Sequence, residues 1–436
     1  MNPLAKELNT IIENLSPEVF AMLSDVGKAF YYPKGILIQS VEAKQRADKI
    51  NATIGIATEK DSVLSLLSIT KYIKDIFPDD YLTYASSFGL LKLREKWKTC
   101  LFEKNPSLAN KKISLPIVTS GITHAISIFA DMWITKDDVV ILPDMMWGNY
   151  SLIFNVRHKA RLVHYKAFDD QLTCFNLDAF GKTIKQQAKD NDKIIVILNF
   201  PHNPSGYSPL ISEADKIAQI LIDTAKNGTR VIACFDDSYF GLVYEKGVCE
   251  ESLFAKLANS DKNLLAVKFD GATKEEYVWG FRIGFITYAA YTKDPKFYEA
   301  LEKKTAGYIR SNISNASNLS QILVYKSLND ENHSKYKKEK KELLKKRALK
   351  IKEILKNPLF KNAFDVYPFN SGYFMCIRLI DINANKLRLH LLNNYGIGLI
   401  SIGKENIRIA FSCFEDEQAQ KLFSLILKGI NELRQS

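Results

Sequence analysis

The chain has no long hydrophobic run. No stretch approaches the roughly 18 to 20 uninterrupted apolar residues that a membrane-spanning helix needs, and the opening MNPLAKELNT lacks the charged and then apolar build of a signal peptide. A cytoplasmic protein that binds no membrane is the expectation. Cysteine is sparse too: Cys100, Cys174, Cys234, Cys249, Cys376 and Cys413 include no C-x-x-C pair, and several lie inside apolar runs such as VIACF at 231–235. That argues against a disulfide framework or a zinc site and for reduced, mostly buried thiols. The six histidines show no H-E-x-x-H or similar ligand spacing, so no metal is expected. Repeats, low-complexity tracts and a Pro/Gly/Ser-rich linker are absent as well.

What remains is a globular composition. The 436 residues are 46% hydrophobic, enough for a substantial core and long enough for more than one packed unit. The formal charge of +11 raises the question of a nucleic-acid partner. Much of the excess lies in residues 333–356, where Leu, Ala and Ile recur at helical spacing beneath a Lys/Glu face. A solvated helix face with internal ion pairs accounts for it, and no recognised nucleic-acid module accompanies it.

The middle of the chain alternates short β-branched runs with longer amphipathic ones. Candidate strands are 113–119, 138–142, 161–165, 194–200, 231–235 and 264–269; helix-like segments include 122–133 and 212–226. Strands apolar on both faces, joined by helical crossovers, predict an α/β domain around a mainly parallel sheet, with ligand groups at the strand ends. After the basic helix the pattern becomes mixed: 364–379, a helix over 388–395, 397–402, 407–413 and a last helix over 417–428. The expected organisation is therefore a segment 1–60 packed on the small domain, a large domain over 61–320, and a smaller α+β domain over 321–436.

Three successive strand ends carry reactive groups. The run after residue 200 is PHNPSG, containing Asn203; the next strand ends in FDDSYFG, with Asp236, Asp237 and Tyr239; the third is followed by DGATKEEYVWGFRIGF, with Lys274 and Arg282. Each alone is ordinary turn or strand-end punctuation. Upstream, VTSGITHAI passes from a strand through Ser120 and Gly121 into a helix, whose N-terminus could hold an anion.

Together, in this order and spacing, the motifs resemble the pyridoxal-phosphate aminotransferases of the aspartate aminotransferase superfamily, from about residue 31 to residue 430. The resemblance implies the fold type I architecture: a large domain with a mainly parallel mixed sheet between helices, plus a small α+β domain drawn from both termini. It implies that Lys274 bonds the aldehyde of pyridoxal 5'-phosphate and, once released as a free amine beside the substrate Cα, shuttles the proton. Arg282 would clamp the phosphate with a planar fork. Asp236 would face the pyridine nitrogen, with Asp237 turned to the opposite face, and Asn203 and Tyr239 would bond the ring oxygen. Ser120, Gly121 and Ile122 fall in the phosphate loop, with Thr273, Thr123 or backbone N–H groups as the alternatives that would replace a missing hydroxyl. In PDMMWGNY at 143–150, Trp147 would stack on the ring face.

Two segments imply a homodimer with shared sites. Tyr84, five positions before a glycine, matches the tyrosine lent to the neighbouring subunit's phosphate. The run YIRSNISNAS at 308–317 matches the segment that sends an arginine and a serine, here Arg310 and Ser314, across the interface. Arg310 would meet the distal carboxylate of aspartate or glutamate, Arg408 the substrate α-carboxylate, and Ile54–Gly55 would close over the substrate. Two positions depart from the pattern: Gly271 stands where a phosphate-binding serine is usual, and Ile122 where a hydroxyl is usual.

The expected activity is amino transfer between an amino acid (aspartate and/or aromatic, glutamate) and a 2-oxo acid such as 2-oxoglutarate. The same constellation serves other fold type I enzymes, such as a C–S lyase or a decarboxylase. A non-enzymatic regulator on this fold would need a DNA-binding domain ahead of the segment at residue 31.

Overall fold

A computed structural model describes residues 1–33, 35–60, 62–292 and 294–435, apart from the side chain of Leu37. At its centre is a seven-stranded sheet. In chain order the strands are β1 Ile117–Thr119, β2 Val139–Pro143, β3 Arg161–Tyr165, β4 Lys193–Asn199, β5 Arg230–Asp236, β6 Leu264–Asp270 and β7 Gly284–Ala289. Their order across the sheet is β1-β7-β6-β5-β4-β2-β3. All neighbours are parallel except β7, which runs antiparallel to both β1 and β6. The result is the α/β fold expected, with one strand, β7, that was not among the six anticipated.

Strand burial explains the continuous apolar runs. In β4, Ile194, Val196 and Leu198 join one core cluster while Ile195 and Ile197 join the other, because successive side chains point to opposite faces. Helices cover both faces, so both must be apolar. The same alternation governs polar residues at the strand ends: Asp236 follows the parity of Ile232 and Cys234, and Asp237, Lys268 and Asp270 lie with Ala233 and Ala266.

The smaller unit holds a four-stranded antiparallel sheet of β8 Phe364–Val366, β9 Phe374–Leu379, β10 Ile400–Ile402 and β11 Asn406–Ala410, in the order β8-β9-β11-β10. The N-terminal part of the chain returns to it. Residues Ile50–Asn51 pair in parallel with Ile397–Gly398, and helix Ile36–Arg46 packs beside them. Helix Asp25–Ala29 instead meets residues 151–157 of the large unit.

The basic helix, His333–Ile354, is more than a solvated face with internal pairs. Lys345–Glu342 and Lys350–Glu353 are internal, but Lys337 reaches Glu275 and Glu276, Lys340 reaches Glu59, and the fully buried Arg347 donates to the Ser412 carbonyl and Glu415. Much of the positive charge thus tethers the helix to its neighbours. All six cysteines are free thiols, and four of them are buried. No helix among the described residues is long and apolar enough to cross a membrane.

Candidate active site

The C-terminal ends of β4, β5 and β6 open into a cleft of about 500 Å³, lined among others by Trp147, Asn203, Asp236, Tyr239, Thr273, Lys274 and Arg282. Strand parity and the turns that follow each strand bring together groups separated by many residues in sequence.

Lys274 lies on the short helix Ala272–Glu275, directly after β6. Its ammonium sits 4.9 Å from the Tyr239 ring centroid. Burial pulls its pKa down to about 8; Asp236 opposes that shift and Arg282 adds to it. A free amine is therefore accessible near neutral pH, which a nucleophile and proton shuttle requires.

Asp236, 3% exposed, is held on every side. Tyr150 donates its hydroxyl to Oδ2 at 2.5 Å, Ser238 donates to Oδ1 through both its amide (3.2 Å) and its hydroxyl (2.5 Å), and Asn199 Nδ2 donates to the backbone carbonyl at 2.8 Å. Asn199 also accepts the Asn203 amide at 2.9 Å, locking the PHNPSG turn to the same point. Tyr150, Ser238 and Asn199 escaped the sequence reading. Asn199, a lone amide ending an apolar strand, was the one available signal.

Arg408, on β11, enters from the small unit. Its Nη1 donates to Asn203 Oδ1 (3.1 Å), its Nη2 to the Thr53 carbonyl (2.7 Å), and its guanidinium lies 4.3 Å from the Phe374 ring centroid. The buried Nε has no partner. Gly55 approaches from the leading segment, where a Cβ would stand 3.3 Å from the Phe374 ring and 3.4 Å from the Tyr239 hydroxyl.

At the other end, Gly121 has φ 79° and starts helix Ile122–Trp133. A Cβ there would lie 2.5 Å from Arg282 Nη2, so only glycine lets the guanidinium draw this close. The first-turn N–H groups of Ile122 and Thr123 have no intrahelical acceptor. The buried Thr273 hydroxyl has no partner either. Ser120 stands apart, its amide committed to His124 Nδ1 at 3.1 Å. Gly271 cannot carry a side chain: a Cβ would sit 2.6 Å from the Ile283 carbonyl oxygen, and one on Gly284 2.5 Å from Gly121 C. Three backbones meet here without side chains between them.

Tyr84, Arg310 and Ser314 are not in this chain's own cleft. Tyr84 is 92% exposed, and Arg310, also exposed, donates to Ser314 Oγ at 2.6 Å. The two segments share one face, since Ser87 Oγ donates to the Ser314 carbonyl at 2.8 Å and Asn318 Nδ2 to the Asp80 carbonyl at 2.9 Å.

A desolvated lysine facing a fixed carboxylate, at the strand ends of a mainly parallel sheet, with an unpaired hydroxyl and an arginine at one end of the cleft, makes up the candidate active site of a protein of the α/β class. Within that class the chain belongs to the family described as aminotransferase class I and II, whose pattern matches residues 48–426. It is thus a transaminase, of a family that works with pyridoxal phosphate and moves amino groups between amino acids and 2-oxo acids. The aspartate aminotransferase of Sulfurisphaera tokodaii is 22% identical over 93% of each chain. Among solved structures, an aminotransferase from Anaerococcus prevotii superposes with a TM-score of 0.83 at 24% identity over 94% of this chain and 99% of that one. The kynurenine aminotransferase of Pyrococcus horikoshii does so with 0.76 at 16% identity over 96% and 99%.

Proposed function

We propose that pyridoxal 5'-phosphate lies in the cleft with its phosphate toward Arg282, Gly121, the N–H groups of Ile122 and Thr123, and the Thr273 hydroxyl. The unpaired Thr273 hydroxyl and the Gly121–Arg282 contact support this fit. The vacant hydroxyl also answers the glycine at 271, which supplies none. Asp236 would pair with the ring nitrogen, Asn203 and Tyr239 with the ring oxygen, and Trp147 would cover one ring face. When bound, the coenzyme supplies an electron sink for charge at the substrate Cα.

The protein's own residues do the rest. Lys274 would hold the coenzyme and, as a free amine, would take the Cα proton and return it on the far side of the amino nitrogen; its pKa, pulled down to about 8 by burial, carries this reading. Arg408 grips the α-carboxylate, which orients the Cα–H bond toward Lys274. Gly55 and its neighbours close the cleft against water.

The substrate reading is amino transfer from aspartate or glutamate, with aromatic amino acids accepted, to 2-oxoglutarate. The names of the Sulfurisphaera and Pyrococcus relatives support both side-chain classes. Arg310, Ser314 and Tyr84 would complete the site of a second copy, so the working unit is a homodimer, in the cytoplasm. The test is the visible spectrum of the coenzyme-loaded protein. Loss of the lysine-bound band with L-aspartate and its return with 2-oxoglutarate is the expected result; a band indifferent to aspartate and to aromatic amino acids would overturn the substrate reading.

A further inference from the structure

Behind the cleft, on the opposite sheet face from Asp236, lies a buried ionic group that the proposed chemistry does not use. Lys268, in the middle of the sheet, is fully buried. Its ammonium bonds Asp237 Oδ2, lies 3.5 Å from Asp270 Oδ2 and sits 4.6 Å from the Phe240 ring centroid. Ser252 Oγ donates to the same Asp237 oxygen at 2.6 Å, and Trp97 Nε1 donates to Asp270 Oδ2 at 3.1 Å. Asp270 Oδ1 has no partner. A lone ammonium inside a sheet is costly unless paired, and a carboxylate pair costs as much without its cation.

The two carboxylates are not arbitrary. Asp237 directly follows Asp236 at the end of β5, and Asp270 ends β6 four positions before Lys274. Alternation of side chains keeps Lys268, Asp237 and Asp270 on one sheet face while Asp236 opens to the other. One cation therefore joins the two strand ends that present the carboxylate and the amine. We propose that Lys268 is a positioning residue of the active site, a clamp on the far face of the sheet that sets the separation of Asp236 from Lys274. This rests on the reading of Asp236 and Lys274 as the coenzyme partners.

The groups facing the clamp are Asp237 and, beyond it, Asp236 on β5, Asp270 on β6, Glu275 on the short helix, Ser252, and Trp97 on helix Leu91–Lys104. Glu275 is itself paired with Lys104 and Lys337. Burial raises Asp237, and it raises Asp270 to about 6, both against the pull of Lys268. Without the cation both carboxyls rise further. Native protein then binds protons that the unfolded chain has already released, so stability falls as pH increases.

The test compares wild type, Lys268→Met and Lys268→Met/Asp237→Asn. In coenzyme-free protein, the loss of Tm in Lys268→Met should be larger at pH 8 than at pH 5, and smaller at both in the double variant, which lacks the orphaned Asp237 carboxyl. In the loaded enzyme, the double variant should keep kcat lowered about tenfold with KM within about threefold, and shift the pH midpoint of the visible coenzyme band by roughly half a unit. Recovery of Tm, kcat and midpoint together in the double variant would overturn the proposal, leaving Lys268 a folding residue; so would failure of the double variant to fold. An Asp236→Asn control separates the two readings. Retained turnover there would sink the coenzyme assignment, while the Tm comparison would still show whether Lys268 neutralises the two strand-end carboxylates.

Discussion

Lys274, Asp236 and Arg408 are held by partners within one chain, while Tyr84 and Arg310 stand on its outer face, the tyrosine 92% exposed. The inner groups are shaped by desolvation: the Lys274 amine is pulled to about 8, and Arg408 is lowered by burial as well. Of the outer groups, Arg310 bonds its near neighbour Ser314. A group whose chemistry depends on a low-dielectric setting has to be fixed by the fold that creates it. One that only completes a pocket can be delivered by a second molecule.

The sharpest way to break this contrast is at Lys274. Lys274→Ala should lower kcat by roughly a thousandfold or more while leaving coenzyme binding measurable by equilibrium dialysis, because nucleophile and proton shuttle are lost together. Retained turnover would refute the inner assignment. Next, Arg408→Ala should cost about a hundredfold in kcat/KM for every amino acid tried, whereas Arg310→Ala should cost that much for aspartate and several-fold less for phenylalanine. Equal losses across substrates at Arg310 would remove it from side-chain recognition.

If the outer groups serve a second copy, mixed dimers show it. Unfolding and refolding Lys274→Ala together with Arg310→Ala should recover up to roughly a quarter of wild-type aspartate activity, since random mixing makes half the dimers hybrids and each hybrid carries one intact site of its two. No recovery would place Arg310 in its own chain's site. The smallest effect concerns stability. A lysine held below its unfolded pKa binds fewer protons when folded, so the penalty is full below pH 8 and fades as pH rises toward 10.5. Coenzyme-free Lys274→Met should therefore melt a few degrees higher than wild type at pH 7, with the gain shrinking by pH 10.

Asp236 and Lys274 were legible in sequence because they stand at the ends of runs of strand residues, and strand ends of a parallel sheet face the ligand; Arg408, inside the antiparallel β11, came only from the family resemblance. The helix 122–133 and strand 161–165 were readable for the same reason: their periodicity is local. What was not legible depends on neighbours in space. β7 inserts antiparallel between β1 and β6, and nothing within 284–289 announces that pairing. Tyr150 and Ser238 become ligands of Asp236 only once the sheet is assembled. In sequence the basic helix reads as solvated, because a lysine's sequence neighbours say nothing of the buried glutamates that Lys337 meets across the fold.

The side-chain-free junction of Gly121, Gly271 and Gly284 also limits what can be borrowed from relatives. A serine moved into position 271, the intuitive graft, would drive its Cβ against the Ile283 carbonyl rather than toward the cleft. The hydroxyl could be imported only with a wider spacing of three backbone segments at once. Such coupled change is seldom reached one substitution at a time, so transplanting single residues into this junction is the wrong unit of design.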